Sequence, residues 1–525
     1  MDQGSRTAHR ILLSANQRVS IAAGLLLVCV ATLYFLFPTK NYYWDGITFA
    51  QHIEDSGSAG FASLFHPNHL LYDVVGWCFF RPLHSIFPEL RALDVLQRLN
   101  SLLSIICCYV FFRCCWTTLR DLYSTIVGSC LFAFSATWWK FSVDANSYIL
   151  SALLLLLCFS GFASNLRFRF WRTAILHAGA MLIHELAALF IVPIFFMIRS
   201  SEASRSRSKQ INLFGAYSGL VGAFTVAVYY LCFLQITRSQ PKLSFMGWVA
   251  SHSEDSVFTA NLFRIVPATL DSYLRLLFGG RLRFWAEFLN PWTAALTIIG
   301  IAFLGILCYL LVRYRADFLS LRGAPPQKSE VAPVAVVALA WVSVYLLFLL
   351  FWLPWNTFYK LFLWPPLVWL IAFSLTCCRL RMKQFRFRAA LFVCCLMIWN
   401  LLLLTYPSAQ PSANPVFVYS KMLKPMWPPD TVVYYRAFTP DDWFVRYFNP
   451  QSTWIQTACR DQDCINALAG AARLHGSVWM DTSLLEELEH ASNGTQQLLA
   501  RVTETRRELT SGGHYIRFAK IAAWR

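Results

Sequence analysis

A few residues beyond the first long apolar run stands an aspartate, in Asn41-Tyr42-Tyr43-Trp44-Asp45-Gly46-Ile47-Thr48-Phe49. Glu54 follows, and then His66, Asn68 and His69 in Leu64-Phe65-His66-Pro67-Asn68-His69-Leu70-Leu71-Tyr72. A carboxylate at a membrane surface, where the head group of a lipid-linked substrate lies, can accept a proton from an incoming hydroxyl. Imidazoles beside it can donate to a phosphate or position the carboxylate. The competing reading of Asp45 is a cap for a helix running from Ile47 onward. Further along, His184 and Glu185 interrupt an otherwise apolar stretch. Ionisable groups at membrane depth are costly and mark function, unless they stitch a buried turn to its neighbours; both readings stand. Lys360 and, in the outer segments, Arg275, Arg281 and Arg283 are cations suited to a phosphate, the arginines through their planar fork. The alternative for each arginine is a lipid-head-group anchor. Asp441-Asp442 resembles a metal or sugar clamp but fits better as a helix start after Pro440, where acids favour the N-terminus.

The elements that must position these groups are read from composition and hydropathy. Of 525 residues, 57% are hydrophobic and only 14% charged, against roughly 25% charged in soluble domains. A net charge of +17 would suit nucleic acid, but the basic residues sit in short runs between apolar segments. That is the bias of loops on the cytoplasmic side of a membrane, and it excludes a nucleic-acid binder. Most of the 16 cysteines, such as Cys107, Cys108, Cys114, Cys115, Cys394 and Cys395, lie inside apolar segments and read as small apolar residues. Cys459 and Cys464 lie in the polar tail and can pair if that tail is outside the cytoplasm. The first apolar run lacks a small-residue cleavage site and reads as a retained span.

A span needs about 20 apolar residues to cross a ~30 Å core. Candidate spans are 19–38, 98–118, 122–139, 147–164, 212–236, 292–312, 332–353, 361–378 and 388–406. The stretch 173–198 is flanked by arginines on both sides, and it is too short for two full crossings. It predicts a hairpin of two short helices meeting at Ile183-His184-Glu185, with its turn buried in protein. With the hairpin, the basic runs 313–328 and 379–388 fall inside, the N-terminus is cytoplasmic and the C-terminus is outside. The fold class is therefore an α-helical polytopic membrane protein of about 11 helices, counting the hairpin. A membrane domain spans residues 1–406, with outer loops 39–97 and 237–290, and a small soluble α/β domain spans 407–525. In that tail, strands are predicted at 431–435, 453–456, 477–480 and 515–521, and helices at 463–474 and 482–507. Asn493-Gly494-Thr495 fits a glycosylation sequon.

Five segments in order resemble the GT-C superfamily of polytopic glycosyltransferases, in particular relatives of the protein O-mannosyltransferases. They are Asp45-Gly46-Ile47-Thr48-Phe49, then His66-Pro67-Asn68-His69-Leu70-Leu71-Tyr72, then Trp138 to Tyr148 with Asp144 and Asn146. Gly179 to Glu185 is similar to that family's short helical hairpin, and Trp352-Leu353-Pro354-Trp355-Asn356 before Lys360 resembles a late outer turn. The chain departs from the pattern in two places. Thr48 and Asn146 stand where some relatives carry acids, with Glu54 and Asp144 as candidates to compensate.

The resemblance implies an inverting transfer of a sugar, mannose or another hexose, from a polyprenyl phosphate to an acceptor hydroxyl on a protein, lipid or glycan. Asp45 is then the general base. Glu54, His66, Asn68, His69, Asp144, Asn146, Tyr148, His184, Glu185, Asn356 and Lys360 are the expected substrate-binding residues. The motifs name no cofactor, and a divalent cation is left open, since hard cations take oxygen ligands from loops. The expected location is a bacterial inner membrane with the site facing the periplasm, an endoplasmic reticulum membrane facing the lumen being the alternative. A transporter or lipid flippase is the alternative function, and it predicts charges along a path at mid-membrane. A scaffold or receptor is a third reading.

Overall fold

The computed structural model describes residues 15–238, 242–250, 261–279, 328–377, 383–435, 441–456, 477–481, 502–509 and 515–521, with a few single positions between them. The first span is α1 (Ala15–Leu36). The loop predicted at 39–97 is mostly helical. It holds α2 (Trp44–Ala59), 3-10 turns at Phe61–Leu64 and Pro67–His69, and α3 (Tyr72–Ile86). It also includes the start of α4 (Ala92–Leu119). The span predicted over 122–139 is two helices, α5 (Leu122–Phe134) and α6 (Ala136–Ser142). Extended Ser135 (φ −64°, ψ 145°) breaks the chain between them. Next comes α7 (Tyr148–Asn165).

The hairpin is present as α8 (Phe170–Ile183), a 3-10 segment at Glu185–Phe190, and α9 (Ile191–Ser201). Extended His184 makes the break (φ −157°, ψ 125°). The chain returns to where it entered, because the Phe168 N–H donates to Ser201 Oγ at 2.8 Å. Both basic flanks therefore share one face. After it run α10 (Arg207–Ile236), α11 (Phe245–Ala250), α12 (Leu262–Leu277), α13 (Lys328–Phe351), α14 (Trp364–Cys377) and α15 (Lys383–Asn400). The last of these continues through a π-helical turn at Leu401–Thr405. Most of the predicted span 292–312, the basic run up to Lys328, Arg281 and Arg283 lie outside the described residues.

Six described helices are long and apolar enough to cross a bilayer, and three shorter apolar ones accompany them. The chain is an integral, multi-pass membrane protein. At the bundle centre α4 packs on α1, α5 and α7, with Cys107, Cys108, Cys114 and Cys115 buried as small apolar residues. At the end away from α2 the buried Arg386 guanidinium pairs with Asp121 at 2.9 Å. It also lies 4.4 Å from the centre of the Tyr123 ring. This basic residue, read from sequence as part of a solvated loop run, instead locks α15 to α5.

The tail opens with α16 (Pro415–Leu423) and contains α17 (Asp441–Phe448) and a five-stranded sheet. Its strands are β1 (Thr431–Tyr435), β2 (Thr453–Gln456), β3 (Ser477–Asp481), β4 (Val502–Leu509) and β5 (Tyr515–Ile521), in the order β2-β1-β3-β5-β4. Strand β1 pairs parallel with β2 and β3, while β5 runs antiparallel to β3 and β4. The helix predicted over 482–507 is corrected at its C-terminal end, where Val502–Leu509 pairs with β5; the alternating Thr503, Thr505 and charged residues suit an edge strand. Asp441 and Asp442 open α17, as their position after Pro440 predicts. Cys459, Cys464, Asn493 and most of 463–474 lie outside the described residues.

Candidate active site

Asp45 lies in the first turn of α2. The helix begins at Trp44, before Ile47. Its N-cap is Tyr43, whose side chain makes no capping bond. The head of α2 is fixed by two contacts with the turn between α6 and α7. A Cβ on Gly46 would lie 2.5 Å from the Ala145 carbonyl oxygen and 2.9 Å from its Cβ, so only glycine allows this approach. Asp144 is fully buried. Its Oδ2 accepts the Tyr43 N–H at 2.8 Å and its Oδ1 accepts the Ala145 N–H at 2.8 Å. Burial pushes its pKa up to about 7, opposed by Lys140 and by those two backbone donors. Asn100 of α4 supports the same turn, donating to the carbonyls of Asp144 (2.7 Å) and Asn146 (2.8 Å). Asn146 in turn accepts the Ile149 N–H at 3.3 Å and starts α7. Asp144 and Asn146 thus hold the site together with backbone bonds.

Asp45 itself is half-buried. Burial pushes its pKa up from 3.8 to about 6, while a hydrogen bond from Tyr43 pulls it down. The Tyr43 and Tyr148 hydroxyls are 3.2 Å apart. Tyr148 is the hub of an aromatic chamber. Ring centres lie 5.3 Å away at Phe358, 5.8 Å at Tyr359, 5.0 Å at His184 and 6.5 Å at His69. His69 Nδ1 meets Ser147 Oγ at 2.9 Å, His66 stacks on His69 at 5.8 Å, and His184 meets His69 edge-on at 4.8 Å. Asn68 is half-buried in the same 3-10 turn, and Glu185 is exposed at the hairpin tip. The hairpin tip, the His-Pro loop, the start of α7 and the head of α2 therefore converge.

Asn356 and Lys360 border this chamber through Phe358 and Tyr359. Asn356 Oδ1 accepts the Phe358 N–H at 3.0 Å. The Lys360 ammonium donates to Ser272 Oγ (2.5 Å), Pro354 O (2.9 Å) and Asn356 O (2.7 Å). All three of its donors are therefore committed, and Lys360 clasps the outer turn to α12. Arg275 is exposed, paired with Asp271 at 2.6 Å and donating to Trp355 O at 3.0 Å. Glu54 is the residue farthest from expectation. Nine positions after Asp45, it points to the opposite face of α2. There it pairs with Arg91 at 2.8 Å and accepts the Ala92 N–H (2.8 Å) and the Tyr447 hydroxyl (2.8 Å). It docks the tail and does not line the chamber.

One pair was missed in the sequence. His52 Nδ1 lies 3.0 Å from Asp73 Oδ2, and Asp73 is fully buried. The signal was present: His52 is seven residues after Asp45, hence on the same helical face, and Asp73 directly follows the His-Pro motif. Among the described residues no three His, Cys, Asp or Glu side chains are placed to hold a metal ion.

No known family profile matches the chain, and no curated protein matches it in sequence. Solved structures do match. ArnT from Cupriavidus metallidurans in the apo state aligns with a TM-score of 0.50 at 10% identity, over 97% of this chain and 98% of that one. The same protein bound to undecaprenyl phosphate aligns with a TM-score of 0.48 at 11% identity, over 95% and 97%. The likeness to apo ArnT is one of fold, and it runs from end to end. The chain has an ArnT-like fold, mostly helical, with a small sheet in its C-terminal region.

Proposed function

We propose that this chain is an inverting glycosyltransferase that moves a sugar, mannose or another hexose, from a polyprenyl phosphate to an acceptor hydroxyl. Asp45 is the general base. It accepts the hydroxyl proton as the acceptor oxygen bonds to the anomeric carbon; the bond from that carbon to the phosphate oxygen breaks, and the polyprenyl phosphate leaves with the electron pair. The site faces the periplasm of a bacterial inner membrane, with the N-terminus cytoplasmic and the C-terminus periplasmic.

One observation carries the reading. An aspartate whose pKa stands near 6 is held by glycine-tight packing in an aromatic chamber at one end of an ArnT-like helical bundle. A base poised just below neutral pH is mostly ionised yet basic enough to take a proton in the transition state. Membranes carrying the protein, supplied with radiolabelled polyprenyl-phosphate sugars, are expected to move label to an acceptor. Asp45→Asn should lower that rate by about 10²–10⁴-fold. Failure of the wild type with a panel of such donors would remove the proposal.

A further inference from the structure

His184 is 2% exposed and sits at the break of the hairpin. Its Nδ1 accepts the Leu186 N–H at 3.2 Å. A neutral imidazole that accepts at Nδ1 carries its proton on Nε2. That Nε2–H has no hydrogen-bond partner among the described residues. A buried donor with nothing to donate to is costly and marks a place where another group belongs. The ring lies against Tyr148, whose hydroxyl meets Tyr43 beside Asp45. It also meets Phe362 at 5.0 Å, and the neighbouring Leu186 carbonyl accepts the Tyr345 hydroxyl of α13 at 2.8 Å. Helix α13 is long and apolar enough to cross a bilayer, so His184 sits beside a candidate span. Two cations bordering the site are already engaged: Lys360 by a hydroxyl and two carbonyls, Arg275 by Asp271 and a carbonyl.

Resting on the glycosyltransferase reading above, we propose that His184 Nε2–H is a donor to the phosphate of the polyprenyl carrier, holding the leaving group across Tyr148 from the base. A neutral donor suits this place because it binds a phosphate oxygen without the cost of burying a second charge. It also strengthens its bond as the leaving group gains negative charge.

Two substitutions isolate the donor. His184→Asn places its Oδ1 near the position of Nδ1, so it keeps the Leu186 contact and loses Nε2–H. His184→Gln places an amide N–H near the position of Nε2. Binding of a decaprenyl phosphate to purified protein in detergent is compared with binding of the matched alcohol, with inorganic phosphate as competitor and thermal unfolding recorded for each variant. The wild type is expected to prefer the phosphate over the alcohol, with His184→Asn losing about ten- to a hundredfold of that preference and His184→Gln recovering most of it. Competition by millimolar inorganic phosphate that disappears in His184→Asn would support the same assignment. An unchanged preference in His184→Asn would overturn the His184 assignment and leave the transferase reading standing. A wild type with no preference for the phosphate would overturn both.

Discussion

A methyl group on Gly46 should damage transfer more than it damages the fold. Its Cβ would meet the Ala145 carbonyl oxygen at 2.5 Å, against about 3.4 Å for ordinary contact, so the head of α2 and the turn must part by roughly 1 Å. The turn cannot give freely, because Asp144 and Asn100 tie it to α2 and α4. Overpacking of this kind costs about 1–3 kcal/mol, within reach of a large helical bundle. Asp45, the adjacent residue, moves with the helix head, and a displacement of roughly 1 Å at a reacting group costs about 10²-fold in rate. Gly57 lies in the same helix with nothing within 4 Å of its would-be Cβ, and serves as the control. We expect Gly46→Ala to lower kcat about a hundredfold with a folded, detergent-stable protein, and Gly57→Ala to stay within twofold of wild type. The assay is label transfer from a polyprenyl-phosphate sugar, with thermal unfolding measured on the same samples. Wild-type turnover in a folded Gly46→Ala protein would refute the claim that this contact positions the base.

Further tests address other parts of the chain. With Asp45 as base and its pKa raised to about 6, kcat/KM should rise about tenfold per pH unit below pH 6 and level off above it; a profile flat from pH 4.5 to 8 would remove Asp45 from the proton transfer. Glu54→Gln should lower transfer less than tenfold, since Glu54 faces away from Asp45, while loosening the tail enough to raise its cleavage rate in limited proteolysis. Arg386→Met leaves buried Asp121 without its counter-charge and should destabilise the protein by about 3–5 kcal/mol. Pairing it with Asp121→Leu should restore most of that loss, as read by thermal unfolding.

Much of this architecture was visible in the residues. Apolar runs gave the spans because a bilayer demands about 20 such residues, and the arginines flanking 173–198 gave the hairpin, whose return the Phe168–Ser201 bond demonstrates. Short runs rich in β-branched and aromatic residues placed β1, β2, β3 and β5. What escaped was decided by contacts distant in sequence. Ser135 splits a continuous apolar run by standing extended between α5 and α6, and nothing in its hydropathy says so. Glu54 looked like a second acid for the site, but helical phase, readable only once α2 is known to start at Trp44, turns it toward Arg91 and Tyr447. Lys360 was read as a cation suited to a phosphate; three acceptors, two of them carbonyls, occupy it, and carbonyls leave no trace in a sequence pattern. The convergence of Asp45, His69, Tyr148 and His184 joins separate segments of the chain, and local patterning carries no record of it.

Helix α2 carries the proposed base at one end and the tail's anchor at the other, with Tyr42 packed edge-on against Phe417 beside its head. The terminal unit is accordingly no interchangeable module. A chimera that kept the bundle and borrowed another protein's C-terminal region would lose Tyr447, which bonds both Glu54 and Arg91, and strip the apolar cover from Tyr42. The tail's hold at Glu54 and the proposed base are thereby joined by one short rod of sixteen residues.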